Sequence, residues 1–372
     1  MELPAVNILA LNVGSSSLKY TLFAMPTEAV LVEGHEESLG PQATEEVFAH
    51  CQALGVDAIG HRVVHGGPRF IAPTRVTKGV LDGLRNLSAL DPLHNPTEVA
   101  VMELGMHLLP SIPTVAVFDT AFHQSLPPVA ACYALPHALS ERLALRRYGF
   151  HGTSYQYVSQ RLLSCLGREA TGTKLVICHL GNGASVCALL DGKSVDTSMG
   201  FTPLEGLIMG TRCGDIDAGL LLYLLRTQAI TPAQLDTLLN QQSGLKGLGD
   251  HGGDVRLLEC ATAIGDPRAE LALAAFAYRV RKYIGAYAAA LGGVDALAFT
   301  GGIGEHSAAM RTRICDGLAF LGITLDPERN AAAPATETLL SPDSSPTPVW
   351  KIPTDEQRQL VREVFTLLKE NP

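Results

Sequence analysis

The chain has 372 residues, 47% apolar and 17% charged, with a net charge of -9. That length predicts two domains or one large one with a well-filled core. The acidic balance, with no basic stripe, excludes a nucleic-acid binder, so any anion this protein handles must meet a local concentration of Arg and Lys.

The N-terminus, "MELPAV", has no basic n-region, which argues against a signal peptide. "ILALNV" reads as a strand and "NVGSSSLKY", residues 12 to 20, as the bend before a second apolar alternation, Tyr20 to Met25. "TVAVFDT" is another strand, and the Pro-rich "HQSLPPVAACYALP" after it is a candidate domain connection. "SYQYVSQRLLSCL" has helical spacing, "LVICHL" is a strand, "ELALAAFAYRVRKYIGAYAAAL" is a long helix, and "DALAFTGG" is a strand. The long helix is cut by Arg279, Arg281 and Lys282, so it does not span a bilayer as an uninterrupted apolar segment. Residues 330 to 350, "NAAAPATETLLSPDSSPTPVW", read as an exposed loop. Strands alternating with helices predict an α/β fold. None of the eight cysteines forms a CxxC pair, so neither a disulfide framework nor a zinc ribbon is expected, and a reduced cytoplasm is the simplest compartment.

One pattern occurs twice. "ILALNVGSSSLKYTLF" and "LVICHLGNGASVCALLDGK" both run apolar strand, polar residue, x-Gly, small-residue turn and second apolar strand. Asn12 aligns with His179 and Gly14 with Gly181, close to half a chain apart. A bend of small residues directs several backbone N–H groups at one spot, the arrangement that binds phosphate. Two such bends, one from each half, would hold the two ends of a polyphosphate, with Ser15, Ser16 and Ser17 donating and Lys19 supplying charge. A solvent-facing Ser-rich turn is the plainer reading.

The ordered set "NVGSSSLK", "GHRVVHGG", "PLHNP", "VFDTAFH", "YGFHGTS", "HLGNGAS", "DTSMGFTPLEGLIMGTRCGDID" and "FTGGIGEH" resembles the acetate kinases over about residues 7 to 307, and weakly to "PTDEQ" at 353. The resemblance implies two duplicated ribonuclease H-like (actin-like ATPase) α/β domains flanking a nucleotide cleft. The division would be 1–125 and 126–356, with the C-terminal helix, about 357–372, returning to the first domain. The implied reaction is ATP plus acetate giving ADP plus acetyl phosphate, reversibly and by direct in-line transfer. An ionised carboxylate needs no general base, so positive side chains and a Mg²⁺ (or Mn²⁺) site matter more than a protein nucleophile.

By resemblance Arg62 binds the acyl carboxylate, and its fork suits that geometry. A metal bridging His61 and His65 is rejected, because four residues along a strand span about 13 Å. Arg212 and His151 are the implied phosphoryl-stabilising residues; a helix-entry role is the alternative for His151, with Thr153 or Ser154 as N-cap. Asp119, ending a buried strand, is the implied catalytic carboxylate, orienting an Arg or metal-bound water. Asn12 and Glu356 match the Mg²⁺ positions, though "DEQ" stands where Asn-Glu-Glu is usual. Val64, Leu93, Phe150 and Pro203 match the acyl-methyl pocket. The nucleotide contacts would be Ser15, Ser17, Lys19, then His179, Leu180, Gly181, Asn182 and Gly183, then Asp254, Val255 and Arg256, and finally Gly302, Ile303, Gly304, Glu305 and His306. His306 stands where Asn is usual, and Ala218 where Pro is usual.

The family also implies a homodimer. Rival readings are a propionate kinase, a pyrophosphate-dependent acetate kinase, and an actin-like ATP-dependent switch that binds protein partners. Such a switch would not need Arg62 and Arg212.

Overall fold

The computed structural model describes every residue except 1–4, 15–16, 38–39, 89–94, 229 and 371–372. Its chain forms two compact units. Unit one comprises residues 1–124, 150–157 and 355–372, and unit two residues 125–149 and 158–354.

Unit one is built on a six-stranded sheet. Its strands are β1 (Val6–Val13), β2 (Leu18–Met25), β3 (Ala29–Glu36), β4 (Ala58–Val63), β5 (Thr74–Arg75) and β6 (Thr114–Phe118), in the order β3-β2-β1-β4-β6-β5. β1, β2 and β3 form an antiparallel meander, β4 and β6 continue parallel to β1, and β5 runs antiparallel against β6. β1 reads as an unbroken apolar run because both of its faces are covered. Leu9 and Leu11 pack on one side with Phe48, Ile59 and Val101. Ile8 and Ala10 pack on the other with Val117, Leu360, Val361 and Val364. Gly60 lets the C-terminal helix, Glu356–Glu370, lie on the second face, since a Cβ there would collide with Leu360 and Val364.

Unit two repeats this plan. β7 (Lys174–Leu180), β8 (Ala184–Leu190) and β9 (Lys193–Thr197) form the meander. β10 (Ala296–Thr300) and β12 (Val349–Lys351) run parallel to β7, and β11 (Thr338–Leu339) is antiparallel to β12. The order β9-β8-β7-β10-β12-β11 matches unit one strand for strand. The hairpin connections differ by one residue: Gly14 N–H donates to the Ser17 carbonyl (2.8 Å), whereas Gly181 N–H donates to the Gly183 carbonyl (3.0 Å). The long helix, Pro267–Leu291, starts on Asp266, whose side chain accepts from the N–H groups of Arg268 and Ala269, and ends on Gly292 at φ 65°. It buries Leu273, Phe276, Val280, Ile284 and Leu291 at helical spacing.

One expectation needs correction. Residues 330–350 are not simply an exposed loop: they carry β11 and the start of β12, and Leu340, Ser341 and Val349 are fully buried. Strands of two and three residues are too short to show alternation among the prolines and serines that flank them.

Candidate active site

In each unit the candidate residues gather at the C-terminal ends of the parallel strands, where α/β sheets leave room for ligands. In unit one, Arg62 is the penultimate residue of β4 and Asp119 directly follows β6. Arg62 Nε donates to Asp119 Oδ1 (3.1 Å) and Nη2 to Oδ2 (2.5 Å), a two-point pairing. Arg62 Nη1 donates to Asn12 Oδ1 (3.2 Å), and Glu356 Oε2 lies 4.0 Å from Nε. The Asp119 carboxylate is almost wholly buried, whereas the Arg62 side chain keeps 17% of its surface accessible. Burial alone would lower the Arg62 pKa, but the adjacent Asp119 and Glu356 outweigh it and raise it. Burial raises the Glu356 pKa, Arg62 pulls it down, and Asp119 pushes it up. Lys19 pairs with Asn12 across the hairpin, and its charge also favours ionised Glu356.

Thr153 Oγ1 donates to Asp119 Oδ1 (3.0 Å), so this hydroxyl serves the carboxylate. The strand end and the start of the helix Gly152–Leu166 are pressed together. Gly152 N–H donates to the Asp119 carbonyl (3.1 Å), and a Cβ on Gly152 would collide with that oxygen. His151, immediately before this helix, sits at φ 59°. A non-glycine residue in the left-handed region costs of order 1–3 kcal/mol and is held there by its surroundings. Phe150 is buried, its carbonyl accepting from His123 Nε2 (2.9 Å) and its ring meeting His65 edge-on. Val64 is buried too, and its N–H donates to Glu98 Oε1 (3.3 Å).

His61 and His65 do not make a metal site. β4 ends at Val63, His61 is buried with neither ring nitrogen hydrogen-bonded, and His65 Nδ1 accepts from Gly67 N–H (2.9 Å). Among the described residues no cluster of three or more His, Cys, Asp or Glu is placed to hold a metal ion. Asn12 Oδ1 and Glu356 Oε2, both turned toward Arg62, are hard oxygen donors of the kind that suits Mg²⁺, which retains most of its water. Beside Glu356, Gln357 Oε1 accepts from Thr21 Oγ1 (2.6 Å). Ser15, Ser16 and Leu93 lie outside the described residues.

Unit two contains a cavity of about 580 Å³. Its lining includes Gly181 and Asn182, Asp254, Val255 and Arg256, and Gly302, Ile303 and His306. Gly252, Gly253, Glu259 and Ser307 complete it. Glu259 had no signal of its own in the sequence; it lies one helical turn beyond Val255 and accepts from Ser307 Oγ (2.5 Å). Other candidates have different duties. Leu180 is fully buried, so only its backbone is available to a ligand. The Glu305 carboxylate accepts from Gly301 N–H (2.8 Å), capping the start of its own helix Gly301–His306, and from Thr354 N–H (3.2 Å). The Gly304 carbonyl accepts from Arg311 (2.9 Å). Asp254 caps its helix through Arg256 N–H (2.9 Å), while the Arg256 guanidinium that pairs with it is exposed. His179 lies in register with Thr300 and Ser185 at the end of β7.

Arg212 lies in a loop whose path depends on Gly206 (φ 108°) and Gly214 (φ 68°). Its Nη1 donates to the Pro203 carbonyl (3.0 Å). Gly210 N–H in the same loop donates to the Asn182 carbonyl (3.0 Å), joining the Arg212 loop to the turn after β7.

Two sheets of one topology, each gathering polar groups at its parallel strand ends, make this a duplicated α/β protein. The profile of the acetokinase family matches residues 43–362, and the chain belongs to that family. It is 43% identical to an acetate kinase of Bacteroides fragilis over 98% of this chain and all of the relative. It is 44% identical to one of Dictyoglomus turgidum over 98% of each. Among solved structures, the acetate kinase of Porphyromonas gingivalis superposes with a TM-score of 0.92 at 38% identity, covering 98% of this chain and all of that one. A propionate kinase of Francisella tularensis gives 0.89 at 36%, covering 96% and 98%.

Proposed function

We propose that this protein is an acetate kinase, transferring the γ-phosphoryl group of ATP directly to acetate and back. The observation that carries the reading is Arg62, held at two points by Asp119 and still partly accessible. A guanidinium fixed in that way offers its remaining donors to a carboxylate. Acetate is ionised at neutral pH, so the site has no need of a base, and Asp119 orients Arg62 rather than taking a proton. Val64 and Phe150 supply apolar surface in unit one, with Leu93 and Pro203 as further pocket residues. Arg212 and His151 place positive charge and donors on the transferred phosphoryl group, where such stabilisation matters most.

The unit-two cavity is assigned to the nucleoside, with the Gly181–Gly183 turn and its counterpart at Ser15, Ser17 and Lys19 binding phosphates. A 580 Å³ cavity fits a nucleotide donor and would be largely unfilled by pyrophosphate. Asn12 and Glu356 would hold Mg²⁺ or Mn²⁺, which when bound neutralises phosphate charge. Propionate is the second acceptor to consider, given the propionate kinase neighbour, and one methylene is worth only about 1–3 kcal/mol in an apolar pocket.

A reduced cytoplasm fits eight free cysteines, and no helix among the described residues is long and apolar enough to cross a membrane. A homodimer fits the helix Ala218–Thr227, which carries five leucines and a tyrosine yet buries none of its residues. Leu220, Leu222 and Tyr223 are among its exposed side chains.

The test is a hydroxylamine trap with ATP, GTP or pyrophosphate against acetate, propionate and butyrate. Acetyl hydroxamate formed with ATP and Mg²⁺ supports the reading. ATP hydrolysis independent of acetate, with no hydroxamate, favours a nucleotide switch.

A further inference from the structure

The segment from Ser198 to Arg212 belongs to no strand or helix, yet it carries both Pro203 and Arg212. Its first half is held by a cage of side chains. Arg147 Nη1 faces the carbonyls of Thr197 (3.1 Å), Ser198 (3.3 Å) and Met199 (3.2 Å). Arg147 Nη2 donates to Glu205 Oε1 (2.6 Å). Tyr133 donates its hydroxyl proton to Glu205 Oε2 (2.5 Å) and accepts from Phe201 N–H (2.8 Å). Both Glu205 oxygens are therefore occupied, and both partners also grip the backbone between Thr197 and Phe201. The fit leaves no space at Gly200, where a Cβ would collide with the Glu205 carboxylate and the Tyr133 hydroxyl.

The next residue is pinned as well. Gly206 N–H donates to Asp215 Oδ1 (2.8 Å), and its carbonyl accepts from Arg279 Nη1 (3.0 Å). Two residues before Glu205, the Pro203 carbonyl accepts from Arg212 Nη1 (3.0 Å). An acceptor fixed on one side of a guanidinium limits where that group can swing. The geometry points to Glu205 as a positioning residue: held by Arg147 and Tyr133, it sets the Pro203 carbonyl and through it the guanidinium of Arg212. This rests on Arg212 acting at the phosphoryl group. An ordinary exposed ion pair contributes little. The Glu205 site differs because each carboxylate oxygen has its own charged or phenolic donor, each of which also holds backbone.

The test is a double-mutant cycle on kcat, with melting temperature and nucleotide affinity measured on every variant. Glu205→Ala should lower kcat by about 10²-fold, the loss expected from roughly 1 Å of misplacement, with ATP KM changed by no more than about two-fold. Glu205→Gln keeps an acceptor and should recover most of that loss. Tyr133→Phe, a milder change, should lower kcat several-fold. In an Arg212→Ala background neither Glu205→Ala nor Tyr133→Phe should lower kcat further, because residues acting through one group are not additive. Losses that multiply in the double variants overturn the proposal, as does a lowered melting temperature with kcat intact. Unaltered kcat in Arg212→Ala alone would overturn the underlying reading of Arg212, a result distinguishable from multiplying losses.

Discussion

In the proposed function Arg62 is the side chain that meets the acetate carboxylate. Its guanidinium is partly buried, which costs hydration, and the loss is offset by Asp119 at two points and Asn12 at a third. Arg62→Ala should raise the acetate KM by about 10²-fold or more, the loss of one two-point charged contact, with ATP KM little altered; steady-state kinetics with each substrate varied checks this, and an unchanged acetate KM removes Arg62 from the carboxylate site. His61, one residue earlier, is fully buried, and burial pushes its pKa down to about 3. Unfolded, that imidazole would take up a proton below about 6.5, so folding stability is fully present above that pH and is lost as pH falls toward 3. His61→Leu should therefore be less acid-sensitive than the natural chain, by up to about 1.4 kcal/mol per pH unit in that window. Urea unfolding at pH 7, 6 and 5 measures the difference, and parallel losses in both proteins would contradict it.

At the scale of elements, small residues decide which pieces reach the site. Gly60 seats the C-terminal helix, and that helix begins with Glu356. Gly60→Val should cost about 1–3 kcal/mol by overpacking. It should also strip amide-exchange protection from residues 356–370 and lower kcat; unchanged protection would show that the helix is held by other contacts. The central strands were legible in the sequence, because strands covered on both faces are long apolar runs, and the paired "NVGSSS" and "HLGNGAS" turns exposed the duplication, whereas the outer strands β3, β5 and β9 carry no such run. Asp119 stood out as a candidate because it follows such a run, whereas Arg62, inside "GHRVVHGG", is a candidate through the family resemblance. Glu259 and Glu205 gave no comparable signal: a carboxylate one turn along a helix or inside an irregular segment takes its meaning from groups distant in sequence, Ser307 for one and Arg147 and Tyr133 for the other. β11 and β12 were missed for want of length, and the capping duty of Glu305 was hidden because its partners are backbone N–H groups.

For the whole molecule, the proposed function requires phosphoryl transfer from ATP, assigned to unit two, to acetate, assigned to unit one. The exposed leucine face of helix Ala218–Thr227 is the surface offered for the proposed homodimer: the natural chain should sediment as a dimer and the Leu222→Glu, Tyr223→Glu variant as a monomer, and equal sedimentation of the two would contradict that role for the helix. The most direct test of the transfer uses acetate labelled with ¹⁸O in both carboxylate oxygens, together with ATP, Mg²⁺ and the natural enzyme, followed by ³¹P NMR. Attack by acetate on the γ-phosphorus predicts acetyl phosphate whose resonance carries the isotope shift of a bridging ¹⁸O, formed one for one with ADP. Unlabelled inorganic phosphate appearing at the same rate with or without acetate, and no shifted acetyl phosphate, would contradict it.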